Sequence, residues 1–341
     1  MLLELAQRAP VQRVVLPEWA AHGVEVALWR LDLIDAAAPG NKLFKLAKNF
    51  RAARVAGFRR VLSFGGAFSN HIHALALCGS AQGFETIGII RGESSAAENP
   101  TLRDARAAGM QLHFVDRKTY RLLTGQGETD DENRQRVLYA ELQQHYGPCF
   151  IIPEGGANRL GVLGCRPLGE AISRLAYLPD HVTIPCATGS TLAGIAAGLE
   201  NRCALLGIAV LKGGGFIAEQ VRAQLRDIGA WHCTNWQIDI DSHTGGYARV
   251  PAALRQFVAR FNLHTESAIE PVYSGKMLYA IHNRIERGEF ARGSRILAVH
   301  TGGMQGARGF GESDKKNQRA VSSLTSRPQK SCRERAGATS Q

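Results

Sequence analysis

Val182–Leu199 reads VTIPCATGSTLAGIAAGL, and the rest of the chain repeats its pattern. VTIPC is a short apolar run with β-branched residues, of the length of a buried strand. The turn Ala187-Thr188-Gly189-Ser190-Thr191 follows, and then an apolar segment, LAGIAAGL, with no helix breaker but its glycines. Outward from it, Arg60–Phe64 (RVLSF) reads as a strand and Ser69–Cys78 as the start of the next helix. Glu85–Ile90 reads as a strand, Asn99–Ala108 as a helix opened by Asn-Pro-Thr, and Gln111–Val115 as a strand. Asp131–His145 reads as a helix, Cys149–Pro153 as a strand and Gly161–Leu175 as a helix. Leu205–Leu211, Gln237–Asp241 and Arg295–Val299 read as further strands with helices between them. Such alternation predicts an α/β fold with mainly parallel, twisted sheets covered by helices on both faces.

Composition agrees. The 341 residues include 37 Gly and are 45% hydrophobic but only 7% aromatic, as expected where glycines serve strand-to-helix turns. No uncharged apolar run reaches the length of a membrane span. The N-terminus, MLLELAQRAPVQRVV, has too short an apolar core for a secretion signal, so a cytoplasmic protein is expected. Cys78, Cys149, Cys165, Cys186, Cys203, Cys233 and Cys332 never form C-x-x-C, and they read as reduced thiols rather than a disulfide framework or a zinc site. The net charge is +11, but seven Lys/Arg against Glu334 put +6 of it beyond residue 314. That Ser-rich segment is expected to be a disordered basic tail and not a nucleic-acid arm.

In parallel α/β folds ligands sit at the carboxyl ends of strands. Three segments meet that condition: GGAFSN after Phe64, ATGST after Cys186 and HTGG after Val299. GNK at Gly40–Lys42 is a fourth candidate, expected in a turn after an Ala-Ala-Ala-Pro loop. Thr188, Gly189, Ser190 and Thr191 combine hydroxyls with a helix start. This suits a phosphate, although Ser190 or Thr188 would serve equally as an ordinary N-cap. Neither the P-loop spacing nor GxGxxG is present, which disfavours nucleotide hydrolysis and dinucleotide binding. Lys42 can serve as an imine-forming amine if held partly desolvated. Lys45 is expected on a solvated helix surface. Ser69-Asn70-His71 opens a helix and reads as an N-cap or as donors for a carboxylate. His71 and His73 point to different faces, against joint metal binding, and His73 reads as structural.

Together, GNKLFK, SFGGAFSNHIHALA, PEGGAN, CATGSTLAG, EPVYSGK and HTGG resemble, in order, the 1-aminocyclopropane-1-carboxylate deaminase/D-cysteine desulfhydrase family, over about residues 16–310. The resemblance implies the tryptophan synthase β-type fold of enzymes that use pyridoxal 5′-phosphate. Lys42 then carries the cofactor as a Schiff base and moves the α-proton. Ser69 lies close to the substrate, sometimes as a nucleophile. Asn70 lies near the cofactor ring oxygen and the substrate carboxylate, with His71 beside it. Thr188–Thr191 hold the phosphate, and Tyr273 and Tyr247 line the substrate. Ser274 faces the pyridine nitrogen, where the deaminases carry glutamate. Thr301 lies at a substrate position where they carry leucine.

With hydroxyls at both of these positions, the resemblance implies α,β-elimination from a small β-substituted amino acid, foremost D-cysteine to pyruvate, ammonia and sulfide. Alternatives are 1-aminocyclopropane-1-carboxylate deamination, another amino-acid lyase or dehydratase reaction on this fold, or a nonenzymatic small-molecule-binding protein. It further implies a homodimer without membrane or nucleic-acid partners. The expected division is a large cofactor domain of residues 1–44 and 153–312, a small inserted αβα domain of 45–152, and the tail 313–341.

Overall fold

The computed structural model describes residues 1–35, 40–93, 99–125, 132–304 and 308. Two sheets organise them. The larger uses β1 (Val11–Val14), β2 (Glu25–Arg30), β7 (His181–Cys186), β8 (Ala204–Ala209), β9 (Trp236–Asp239) and β10 (Arg295–His300) in the order β1-β2-β10-β7-β8-β9. The smaller uses β3 (Arg60–Gly66), β4 (Glu85–Arg91), β5 (Gln111–Val115) and β6 (Phe150–Ile152) in the order β5-β4-β3-β6. Every pairing is parallel except β1 with β2 at the edge of the larger sheet. The mainly parallel α/β expectation holds.

The helices are α1 (Leu2–Gln7), α2 (Pro17–Ala21), α3 (Asn41–Val55), α4 (Asn70–Ala81), α5 (Pro100–Ala107), α6 (Arg117–Thr124), α7 (Glu132–Tyr146), α8 (Arg159–Ile172), α9 (Ser190–Leu199), α10 (Phe216–Asp227), α11 (Ala252–His264) and α12 (Ser274–Glu286). They divide between the sheet faces by the two-residue period of the strands. Leu205, Leu297 and Val299 point to a core shared with α1, α8, α9 and α10. Leu206, Ile296 and Ala298 point to the opposite one, under α2, α11 and α12. The smaller sheet repeats the arrangement: Val61 and Ile90 pack under α3, α4 and α5, and Leu62, Ile87 and Ile89 face α6 and α7. Burial of both faces explains why these strands read as continuous apolar runs instead of alternating ones.

Several sequence expectations need correction. Gly40, at φ 90°, is the N-cap of α3, so Lys42 lies in the first helical turn and not in a loop. A side chain at Gly40 would overlap the Thr301 carbonyl, which only glycine avoids at this φ. β9 stops at Asp239, earlier than Asp241, because the Asp239 carboxylate accepts the N–H groups of Asp241 and Ser242 and bends the chain away. α8 ends at Ile172, short of Leu175. Asp131, the Ala-Ala-Ala-Pro loop (36–39) and the tail 313–341 lie outside the described residues.

Helices α8 and α9 approach at backbone distance. Side chains at Gly169, Gly194 and Gly198 would meet, respectively, the Ile195 carbonyl, the Val162 carbonyl and the Arg166 carbonyl. The turn 187–191 opens α9, so this contact fixes its height above the sheet. Gly198→Ala is expected to destabilise the fold by about 1–3 kcal/mol through overpacking, read as a lower urea midpoint. An unchanged midpoint would show that the two helices can separate freely.

Candidate active site

Four strand ends converge. β7 leads to the turn 187–191, β10 to Thr301–Gly303, β3 to Ser69–Asn70 and β6 to a 3-10 turn, Glu154–Gly156. Against them lies the first turn of α3. Asn41 Nδ2 donates to Thr191 Oγ1 (2.8 Å) and Asn41 N to the Thr301 carbonyl (3.2 Å). Lys45, 2% exposed, donates from Nζ to the Gly155 carbonyl (3.0 Å) and Thr188 Oγ1 (3.4 Å). The surface position expected for Lys45 is therefore wrong. Residues three apart share one helix face, and the face carrying Lys42 looks inward.

Two amines in one dry turn disfavour each other's charge. Burial, and next the Lys45 cation, bring the Lys42 pKa down to about 7. Burial also lowers that of Lys45. The amine at position 42 is thus substantially neutral near neutral pH, the form that attacks an aldehyde.

Around residue 189 the groups are donors. Gly189, at φ 70°, turns the chain into α9. Thr188 Oγ1 and Ser190 Oγ lie 3.3 Å apart, and Gln224 Nε2 donates to Ser190 Oγ at 3.1 Å. With the N–H groups that open α9 and the ammonium of Lys45, these hydroxyls form a cradle for a dianion. Lys45, Asn41 and Gln224 were not identified from sequence. For Lys45 the spacing from Lys42 held the signal.

On the opposite wall, Ser69 caps α4, its Oγ accepting from Ile72 N (3.3 Å). Asn70 packs on Gly303, where any side chain would strike its amide. His71 is buried at 2% exposure. Ser63 Oγ donates to the Ile152 carbonyl (2.7 Å), so His71 Nε2–H donates to Ser63 Oγ (2.8 Å), leaving Nδ1 bare and without a partner among the described residues. Burial, then the charges of Lys42 and Lys45, hold its pKa well below the usual value, so the ring is neutral. His73 instead faces Asp104 (3.1 Å), in keeping with a structural role.

The third wall is the start of α12. Glu270, buried, accepts N–H groups from Val272 (2.6 Å), Tyr273 (2.9 Å) and Ser274 (2.6 Å). Burial outweighs these bonds and raises its pKa to about 7. Ser274 is fully buried and its Oγ has no partner among the described residues. Tyr273 Oη donates to Tyr247 Oη at 3.4 Å. The charge of Glu154 acts on Lys42, Tyr247 and Tyr273 alike, so all three lie within electrostatic reach of one carboxylate. Behind Thr301, Gly302 N donates to His300 Nδ1 (3.2 Å) while His300 Nε2 donates to the Ala268 carbonyl (3.1 Å). Among the described residues no group of three His, Cys, Asp or Glu side chains could hold a metal ion, and no helix is long and apolar enough to cross a membrane.

A desolvated lysine in a helix start tied to a donor-rich turn at the edge of a parallel sheet suits an enzyme of the pyridoxal-phosphate class. The chain belongs to the pyridoxal-phosphate dependent enzyme family, whose sequence profile matches residues 22–302. It is 26% identical over 299 residues to a putative 1-aminocyclopropane-1-carboxylate deaminase of Pyrococcus horikoshii, covering 85% of this chain and 88% of that one. It is 27% identical over 313 residues to the bifunctional D-cysteine desulfhydrase/1-aminocyclopropane-1-carboxylate deaminase of Arabidopsis thaliana, covering 87% and 76%. The crystal structure of an ACC deaminase homologue superposes with a TM-score of 0.76 at 22% identity, covering 92% of this chain and 98% of that one, a likeness of fold.

The residues present fit pyridoxal phosphate: the cradle offers hydroxyls, N–H groups and an ammonium, and the cleft holds an unpartnered hydroxyl at Ser274 and a bare ring nitrogen at His71. Three outcomes are expected. Apoprotein should take up pyridoxal phosphate about tenfold faster at pH 8 than at pH 6, because only the neutral Lys42 amine reacts. A rate independent of pH would remove Lys42 from that step. Lys42→Ala should abolish borohydride-fixed cofactor. Lys45→Ala should retain it with cofactor affinity weaker by about 10–100-fold, the worth of a charge-assisted hydrogen bond.

Proposed function

We propose that the protein eliminates the β-substituent of a small amino acid, foremost D-cysteine, giving pyruvate, ammonia and sulfide with uptake of one water. The tie of the first turn of α3, which bears Lys42, to the turn at Thr188–Thr191 through Asn41 and Lys45 carries the reading. When bound, pyridoxal phosphate supplies a sink for the electron pair left at the α-carbon. Thr188, Gly189, Ser190 and Thr191, with Lys45, hold its phosphate. Lys42 holds its aldehyde carbon and later moves the α-proton on Nζ. The N–H groups opening α4, with Ser69 and Asn70, bind the substrate carboxylate beside Thr301. Tyr273 and Tyr247 line the β-substituent.

Elimination is favoured over opening of a cyclopropane ring by the group at position 274. A serine hydroxyl cannot keep a pyridine nitrogen protonated as a carboxylate would, and a good leaving group lessens the need for a strong sink. The nearby carboxylate of Glu270 is occupied by three N–H groups of its own turn. Deamination of 1-aminocyclopropane-1-carboxylate is the second reading, favoured by the names of the relatives.

The reading extends to an inserted domain over 45–152, whose residues supply all four strands of the smaller sheet, and to a cytoplasmic homodimer. Its six described cysteines are unpaired thiols, in keeping with a reducing compartment.

A panel of D- and L-β-substituted amino acids plus the cyclopropane substrate, assayed for keto acid and ammonia, tests the assignment. Pyruvate and sulfide from D-cysteine are expected, and both should vanish in Lys42→Ala. Faster 2-oxobutyrate formation from the cyclopropane substrate would overturn the elimination reading in favour of the second.

A further inference from the structure

The turn that carries Tyr247 is wound in an unfavourable sense. Residues 241–250 join β9 to α11 without helix or strand. Thr244, Gly245, Gly246 and Ala248 all have positive φ, at 53°, 95°, 115° and 57°. Threonine and alanine rarely adopt such values and persist there only when their surroundings over-determine them.

A buried cation meets this turn. Lys276, in the first turn of α12, is fully buried. Its Nζ donates to the carbonyls of Val210 (3.3 Å), His243 (2.9 Å) and Gly246 (2.5 Å). An ammonium has three protons, so all are engaged, and every acceptor is a main-chain oxygen. His243 precedes the left-handed run and Gly246 lies within it, and Val210 follows β8 at the carboxyl edge of the sheet. Three converging carbonyls form the sort of oxygen cage that takes a dehydrated monovalent cation. Here the cation arrives on a side chain whose helix also bears Ser274, with Tyr273 as its N-cap. Glu270, the carboxylate nearest in charge, favours the ammonium, while burial opposes it and brings its pKa to about 8.

We propose that Lys276 is a positioning residue, a tethered monovalent cation that shapes the 243–246 turn and thereby sets Tyr247 against Tyr273. The inference rests on the reading that this tyrosine pair lines the substrate. It assigns Lys276 no contact with substrate or cofactor.

Cation rescue tests it. Lys276→Ala leaves the three carbonyls facing a space large enough for a small ammonium. In sodium chloride the variant is expected to keep the visible band of the lysine-bound cofactor, since Lys42 and the Thr188 turn are untouched. Its KM for the amino acid should rise about tenfold with a smaller change in kcat. Ammonium or methylammonium chloride should return KM to within about threefold of wild type and raise the thermal midpoint of the variant alone. In a Tyr247→Phe background, adding Lys276→Ala should change KM by less than about twofold, because residues acting through one another are not additive.

An unchanged KM in Lys276→Ala, or a rise that no cation reverses and that adds in full to Tyr247→Phe, overturns the proposal. Should Lys276→Ala fold only in ammonium, the cage is supported; failure to fold in any cation overturns it. The midpoint is read without substrate. A wild type that turns over no amino acid would therefore refute the enzymatic reading while leaving the cation-dependent midpoint to judge the cage.

Discussion

Two amines sit one helical turn apart in the interior, and their mutual repulsion sets the terms for the site around them. A buried ammonium is tolerated only where oxygen acceptors surround it. For Lys45 those are the Gly155 carbonyl and the Thr188 hydroxyl, so the start of α3 is tied both to the turn after β6 and to the turn after β7. Lys42, at the same helix start, is brought by burial and then by the charge of Lys45 to a pKa of about 7, where its neutral form is within reach. The arrangement suits one lysine to act as a neutral amine and its neighbour to meet an anion, from the same residue type three positions apart. Asn41 completes the tie by reaching Thr191.

That tie would be loose without the close approach of α8 and α9. Glycines on both helices remove the side chains that would separate them, and the start of α9 is thereby held at one height over the sheet edge. Small residues here do for the cradle what Glu270 does for α12. Each fixes a helix start by satisfying or exposing backbone N–H groups, and the cleft lies between the two.

Much of this was legible in the chain. Runs such as VTIPC and RVLSF announced strands because both faces are buried, and the hydroxyls around Gly189 announced a helix start suited to an anion. Ser69 was legible as an N-cap. Gly40 and Asn41 look like loop residues and suggest a turn at Lys42, whereas Gly40 is the cap that lets the helix begin. A lysine on a helix is usually solvated and Lys45 reads as one, yet its three-residue offset from Lys42 puts it on the same, inward face. Gln224, Glu270 and Lys276 gave no such signal. The partners of Gln224 and Lys276 are main-chain atoms or hydroxyls supplied by other segments, up to 66 residues away in the case of Lys276 and Val210, and nothing local marks a side chain that will meet them. Those of Glu270 are N–H groups of its own turn, and what the chain does not announce is its burial.

The crowding of positive charge at the start of α3 also bears on the life of the protein in the cell. A phosphate dianion settling beside Lys45 relieves a repulsion that the bare polypeptide must carry, and a ligand that binds only the native state adds its binding free energy to that state. Cofactor supply and stability are therefore linked: a loaded molecule is expected to open less often than an empty one.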